Sequence, residues 1–227
     1  MRAVYCKELK SYFNTLSAYL FISSALFIGG AAFATANIGG EVTSMRAVFD
    51  SIQYALFVTV PMLTMRPAGG DRTLLSAPVR IGAIIAGKHF AALTVLAAAL
   101  GALLIYPLIL VFLGKPSWSE TASGLLGLLL LGALLISLGQ FASSFTSKRA
   151  AAGALSLCAM LIVLLIQALL PGMKGIGDAL LKLTPSYHLN AFLSGVVGIS
   201  DIIYFISASA LLLYASVRMT AHNMRTK

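Results

Sequence analysis

The chain alternates between long apolar stretches and short polar segments. Six of these stretches are long enough and apolar enough to form membrane-spanning helices, since each crossing of a bilayer needs about 20 mainly apolar residues. The first stretch is too long for a secretory signal and lacks a convincing cleavage site, which favours a retained span. The pattern therefore predicts an all-α integral membrane protein with a single transmembrane domain. The predicted spans are residues 16–38, 47–65, 90–113, 121–147, 150–170 and 202–217.

The first fifteen residues have a helical pattern of their own. Tyr5, Leu9 and Tyr12 fall on one stripe of the helix, whereas Lys7 and Lys10 fall on another. An amphipathic helix of this kind lies along the surface of a membrane. We therefore predict an N-terminal interfacial helix, and the alternative is an extension of the first span into the cytoplasm.

Composition and charge agree with a membrane location. Hydrophobic residues make up 59% of the chain and charged residues only 10%, whereas a soluble domain carries roughly 25% charged residues. With the N-terminus in the cytoplasm, twelve of the sixteen Lys and Arg residues fall on the inner side. This is the positive-inside bias of membrane proteins. Both termini are therefore predicted to be cytoplasmic, and the net charge of +9 follows from topology and does not indicate nucleic-acid binding.

The linker between the second and third spans, residues 66–89, is the longest segment predicted to face the cytoplasm. Its prolines and glycines enclose a short helix-capable sequence, DRTLLSA, in which Asp71 is suited to cap the first turn. A small helix held between two spans is a means of receiving force from a soluble partner. An ordinary solvated loop is the alternative interpretation of the same residues.

The outer segment before the last span, residues 171–201, contains the aromatic and apolar run PSYHLNAFLSGVVGIS. This composition predicts a re-entrant or interfacial segment at the outer leaflet. His188 within it has no Cys, Asp or Glu nearby at ligand spacing, so we expect it to form interfacial hydrogen bonds and not to bind a metal. Cys6 and Cys158 lie far apart and suggest neither a disulfide framework nor a metal cluster.

One sequence match suggests an enzyme, but its context argues against it. Residues 82–89, GAIIAGKH, fit the phosphate-binding loop pattern except at the last position, where His89 replaces the hydroxyl that would hold Mg²⁺. The segment also runs straight into the third span, and no strand ending in Asp follows it. We therefore predict that the chain itself binds no nucleotide or other cofactor, and that Lys88 reaches toward lipid phosphates.

Four polar residues lie inside the apolar spans and are candidates for a transport pathway. An acid within the membrane often marks an ion or proton route. Glutamines are able to line such a route or to join neighbouring helices by hydrogen bonds, and both interpretations stay open. The four residues are Asp50, Gln53, Gln140 and Gln167.

Five segments, in this order and with six spans among them, form a recognisable series: KELKSYFNTLSAYLF, GGDRTLLSAPVRIGAIIAGK, YPLILVFLGKPSW, GLLGLLLLGALLISLGQFASSFTSKRAAAGAL and FLSGVVGISDIIYFIS. The series resembles the permease subunits of bacterial ABC-2-type transporters, in the branch of gliding-motility and related export permeases. No single motif is diagnostic, and the order and spacing over most of the chain carry the resemblance. One departure is that an acid-bearing stretch, which family members often have before the second segment, is missing here.

The resemblance implies an ATP-driven exporter of the bacterial cytoplasmic membrane. Two permease copies, or two related permeases, would work with two separate ATPase subunits that bind ATP and Mg²⁺. The resemblance also implies that the N-terminal helix, with Lys7, Glu8 and Tyr12, is an elbow helix near the ATPase. The short cytoplasmic helix would be the coupling helix, formed by Asp71, Arg72, Thr73, Leu74, Leu75 and Ser76 ahead of Pro78.

The chain is therefore predicted to be a permease subunit that moves an amphipathic substrate, such as a lipid, a peptide or a drug-like molecule, with energy from a separate ATPase. One alternative is a self-sufficient secondary transporter or channel that uses Asp50 and the glutamines. Another is a membrane anchor for a partner protein. The sequence leaves pairing of two copies open, because the small face of Gly124, Gly127 and Gly132 suits packing within one chain or between two.

Overall fold

The computed structural model describes residues 2–38, 44–65, 81–113, 117–146, 148–169 and 181–225. Within these residues all regular structure is helical, as predicted. The helices are α1 (Arg2–Asn14), α2 (Leu16–Phe33, continued by a π-helical turn at Ala34–Ile38), α3 (Arg46–Thr64), α4 (Ile81–Ala102), α5 (Ile105–Leu113), α6 (Trp118–Ser143), α7 (Arg149–Leu169), α8 (Pro185–Leu193) and α9 (Ile199–Arg225).

Six helical segments in the described part of the chain are long and apolar enough to cross a membrane, which confirms the predicted number of spans. The chain is therefore a multi-pass membrane protein. The third and last spans are longer than predicted. The third span begins at Ile81 and the last extends from Ile199 to Asn223. Both helices continue past their apolar cores because polar residues in the added turns, such as Lys88 and Thr220, are buried against other helices.

The third span is interrupted where α4 meets α5. Pro107 has no N–H to donate to the carbonyl of Leu103, and its ring crowds that carbonyl, so the helix is interrupted there. The neighbouring Tyr106 donates its hydroxyl to the carbonyl of Leu26 and stacks on Phe33 with ring centroids 5.4 Å apart. These contacts hold the start of α5 against α2.

Helix α6 lies at the centre of the bundle and packs against α3, α4, α7, α8 and α9. Its glycines allow this close approach. A Cβ atom added to Gly127 would lie 2.6 Å from the Cβ of Phe192, and one added to Gly124 would lie 2.5 Å from the ring of Phe49. Gly132 is packed in the same way against Leu96. The small-residue face therefore packs helices within one chain.

Different helices lie at the two ends of the bundle. At the first, which we call the α1 end, Lys88 contacts Glu8 of α1 and lines the same small void as Thr220 of α9. At the opposite end, the α8 end, the start of α6 meets the segment after α8, where the hydroxyl of Ser119 donates to the carbonyl of Gly195. The N-terminal helix and the last turns of α9 therefore lie at the same end.

Candidate functional site

A cavity of about 810 Å³ lies between α3, α7 and α8, and its volume is within the range of about 300–1,000 Å³ that small-molecule sites occupy. The α7 residues that line it run from Cys158 to Ala168. At a rise of about 1.5 Å per residue, the cavity follows α7 for about 15 Å. It is therefore long enough to hold an extended molecule alongside this helix.

The cavity is amphipathic along its length. Its α7 wall consists mainly of leucine and isoleucine, whereas its α8 wall and the end of α7 present hydroxyl and amide groups. None of the described residues that line the cavity carries a formal charge. The polar lining residues are Tyr54, Gln167, Thr184, Ser186, Tyr187 and Asn190.

Local sequence explains why α8 forms as a short, separate helix. Pro185 occupies the start of the helix, where its missing N–H removes no helical hydrogen bond. Gly195 follows the end of the helix with φ of 83°, a conformation that favours glycine and terminates helices. On the side of α8 that faces α6, the hydroxyl of Ser123 donates to the carbonyl of Phe192 over 2.7 Å.

A chain of hydrogen bonds closes the polar side of the cavity. The side-chain amide of Gln53 on α3 donates to the hydroxyl of Ser186 on α8, which in turn donates to Gln167 Oε1 on α7 over 2.8 Å. Gln53 is buried. The Nε2 atom of Gln167 is also buried and has no hydrogen-bond partner among the described residues, so it is a donor available to a ligand or a water molecule.

The four candidate pathway residues lie in three different places. Gln53 and Gln167 meet through Ser186, which the sequence did not single out. Gln140 lies toward the α1 end, where it lines the small void beside Lys88. Asp50 is half-buried on α3, one turn after Arg46, and does not line the cavity.

His188 fastens the opposite side of α8 to α9. Its Nδ1 lies 2.6 Å from Asp201 Oδ1 and its Nε2 lies 2.9 Å from the carbonyl oxygen of Lys182. The imidazole also stacks on the ring of Tyr204, with centroids 4.0 Å apart. The sequence does not predict Asp201 as a partner of His188, because the turn between the two helices separates them. No group of three or more His, Cys, Asp or Glu side chains in the described ranges is placed to hold a metal ion.

At the α1 end, the N-terminal helix is fastened to α3 and α4 by contacts that we call the N-terminal brace. The Nζ atom of Lys88 lies 3.6 Å from Oε1 of Glu8, and both side chains are almost fully buried. The hydroxyl of Tyr12 donates to the carbonyl of Leu63 over 2.6 Å. Gly87 brings the helices together, because an added Cβ would lie 2.9 Å from a methyl group of Val4. Lys7 is on the exposed side of α1.

The brace corrects one prediction from the sequence. Lys88 does not reach toward lipid phosphates, since α1 covers it and Glu8 neutralises it. The residues that fit the phosphate-binding pattern, 82–89, lie within α4 and form no loop.

The residues implied for ATPase coupling lie outside the described part of the chain. They are Asp71, Arg72, Thr73, Leu74, Leu75, Ser76 and Pro78. The described residues on each side of them are the end of α3 and the start of α4, which are the two elements that the N-terminal brace joins to α1.

Comparison with known proteins adds no family to this description. A scan against protein-family models finds no match, and a search of curated proteins finds none either.

Proposed function

We propose that the protein is the permease subunit of an ATP-driven exporter. The cavity between α3, α7 and α8 binds an amphipathic cargo, and a separate ATPase that binds ATP and Mg²⁺ supplies the energy. The cavity is the observation that carries this proposal, because it joins a long apolar wall to a small polar wall within a membrane-spanning bundle.

The lining of the cavity favours a cargo with an uncharged or zwitterionic polar group. A cargo with a net charge would enter the membrane without a counter-charge among the lining residues, which is costly. Gln167 Nε2 offers a donor, and the amide of the exposed Asn190 offers both a donor and an acceptor. The apolar part of the cargo would lie along Leu161 and Leu165 on α7. Lipids, apolar peptides and drug-like molecules all have this character.

The N-terminal brace supports a mechanical link between an ATPase and the cavity. Helix α3 contacts the brace through Leu63 and lines the cavity region through Gln53 and Tyr54. A push on residues 66–80 would therefore move α1, α3 and α4 together. Rigid-body movement of packed helices is a common form of such switching.

The assignment of sides and partners belongs to the same proposal. The α1 end faces the cytoplasm of a bacterium, in keeping with the distribution of basic residues, and two ATPase subunits bind there. A second copy of the chain, or a related permease, completes the transporter. Exposed leucine and isoleucine side chains of α7 that do not line the cavity, and those of α9, lie against lipid or the second permease.

Reconstitution in liposomes tests the proposal. The permease would be purified together with a co-expressed candidate ATPase, and ATP-dependent movement of a fluorescent short-chain zwitterionic phospholipid would be followed. We expect transport that requires ATP and that is lost when the phosphate-loop lysine of the ATPase is replaced. Leu161→Trp, which places a bulkier side chain in the cavity, should reduce transport, whereas Leu211→Trp, on the exposed face of α9, should not.

Three results would contradict the proposal. Ion-gradient-driven transport by the permease alone, lost in Asp50→Asn, would indicate a secondary transporter. Partner binding without movement of any amphipathic probe would indicate a membrane anchor. Recovery of the permease free of any ATPase after mild solubilisation would argue against a stable complex with an ATPase that supplies the energy.

A further inference from the structure

A small closed void lies behind the N-terminal brace, where α4, α6 and α9 meet. Its volume is about 10 Å³, and six of the seven residues that line it are polar. A void lined mainly by polar side chains is notable in the middle of helix packing, because buried polar groups normally have hydrogen-bond partners. The lining therefore calls for a physical explanation.

Two of the residues that line this void have a buried side-chain oxygen without a hydrogen-bond partner in the part of the chain that the structure describes: Thr220 Oγ1 and Gln140 Oε1. The side chain of Thr220 is 3% exposed, so bulk water does not satisfy it. Leaving a buried polar atom without a partner is destabilising. A ligand that fits the void would remove this penalty at both atoms.

The neighbouring serines do not supply the missing bonds. Ser143 donates its hydroxyl to the backbone carbonyl of Gln140 over 2.9 Å. Ser216 donates to the same carbonyl over 3.4 Å. Their protons are therefore directed to the backbone, and the side-chain oxygen of Gln140 is left without a donor.

The size and charge of the void identify the ligand. A volume of about 10 Å³ is close to one water-sized sphere, the smallest space that holds a water molecule. The ammonium group of Lys88 lines the same void and disfavours a metal cation. We propose that the void holds one ordered water, which donates to Gln140 Oε1 and forms a second hydrogen bond with Thr220 Oγ1.

This water joins α6 to α9 directly beside the Glu8–Lys88 ion pair. The last turns of α9 are then tied to the centre of the bundle by an exchangeable molecule, next to a direct bond from Asn223 Nδ2 to the carbonyl of Ser144. The proposal concerns the folded chain alone and does not depend on the function proposed above.

Substitution of Thr220 distinguishes a void that holds a water from a dry void, because the two cases predict opposite changes in thermal stability. Valine has the shape of threonine but no hydroxyl. If the water is present, Thr220→Val removes one of its partners, and we expect the midpoint of thermal unfolding of the full chain in detergent to fall by about 2–4 °C. If the void is dry, the same change replaces an unsatisfied hydroxyl by a methyl group, and the midpoint would stay the same or rise.

Two companion variants control the experiment. Thr220→Ser keeps the hydroxyl and should retain most of the stability. Thr35→Val, at an exposed threonine whose hydroxyl bonds back to its own helix, should change the midpoint by less than Thr220→Val. A fall that is equal for Thr220→Val and Thr220→Ser would indicate a packing effect and would overturn the proposal.

A density map of the full chain, at a resolution that shows ordered waters, provides the second measurement. We expect a peak within hydrogen-bonding distance of both Gln140 Oε1 and Thr220 Oγ1. An empty void in such a map would overturn the proposal even if Thr220→Val proved too unstable to study.

Discussion

Glu8 and Lys88 form an ion pair that is buried from both sides. Their closest oxygen and nitrogen atoms are 3.6 Å apart, and neither side chain exposes more than 7% of its surface. The pair joins α1 to α4 about two turns after α4 begins at Ile81. A substitution at this pair should therefore affect the packing of both the N-terminal helix and the third span.

Removal of one partner of the pair should destabilise the protein more than removal of both. Glu8→Gln leaves a buried ammonium group without its carboxylate, and breaking a buried pair in this way costs about 3–5 kcal/mol. The double variant Glu8→Gln with Lys88→Met removes both charges and should recover much of this loss. Thermal unfolding in detergent measures the difference, with Lys10→Gln on the exposed side of α1 as the control. A double variant no more stable than Glu8→Gln would contradict this prediction.

The close packing of α6 against α8 makes Gly127 sensitive to the smallest enlargement. In Gly127→Ala the new methyl group would lie 2.6 Å from the Cβ of Phe192, an atom fixed to the backbone that cannot rotate away. We expect a loss of about 1–3 kcal/mol in the free energy of unfolding, because overpacking forces helices apart.

Gly101→Ala is the matched control, since an added Cβ there meets no atom within 4 Å. Alanine is favoured over glycine inside a helix by about 1 kcal/mol, so this variant should be as stable as the natural protein or more stable. Equal destabilisation by the two substitutions, measured by chemical denaturation in the same detergent, would contradict the packing argument.

The spans were predictable from the sequence because a bilayer sets their length and excludes charge from their centres. The ends of the spans were not, since burial by other helices extends them. Lys88 illustrates the reason. In the sequence alone, Lys88 indicates a membrane boundary. The structure shows that it is buried and paired with Glu8 on a separate helix.

The cavity could not be predicted, because it depends on contacts between helices that a single sequence does not reveal. Gln53 and Gln167 were recognised as polar residues in apolar spans, but their meeting through Ser186 results from the position of α8. The partner of His188 was missed for the same reason, since Asp201 belongs to the next helix. Helical periodicity reports which face is apolar, whereas it does not report which faces meet.

Cys158 offers a direct test of access to the cavity. It lies on α7, lines the cavity and is exposed. The chain contains only two cysteines, so Cys6→Ser leaves Cys158 as the single reactive thiol. We expect a membrane-permeant maleimide to label it, and we expect a short-chain zwitterionic phospholipid to slow the labelling by occupying the cavity.

A cysteine away from the cavity is the control for this protection. Leu211→Cys in a Cys6→Ser, Cys158→Ser background places the thiol on the exposed face of α9. The phospholipid should leave its labelling rate unchanged. Protection of both thiols to the same degree would mean that the lipid acts on the detergent micelle and does not occupy the cavity.

The His188–Asp201 contact should control how firmly α8 is held as a wall of the cavity. His188→Phe keeps an aromatic ring over Tyr204 but loses the hydrogen bonds from both ring nitrogens to Asp201 and to the carbonyl of Lys182. A hydrogen bond to a charged group contributes about 1.5–3 kcal/mol, so α8 should open locally more often. Hydrogen exchange of the backbone amides of α8 should then be faster, while exchange in the centre of α6 stays unchanged.

Tyr187→Phe provides the comparison, because this tyrosine lies on α8 and is half-exposed, and its substitution leaves both bonds of His188 in place. Exchange of the α8 amides in Tyr187→Phe should match that of the natural protein. Asp201→Asn should speed exchange of the α8 amides by less than His188→Phe does. The asparagine side-chain oxygen still accepts from an imidazole N–H but carries no charge. If His188→Phe left the exchange of α8 unchanged, Ser123, Ser186 and the packing of Phe192 would be sufficient to hold the helix, and His188 would not be its main attachment to α9.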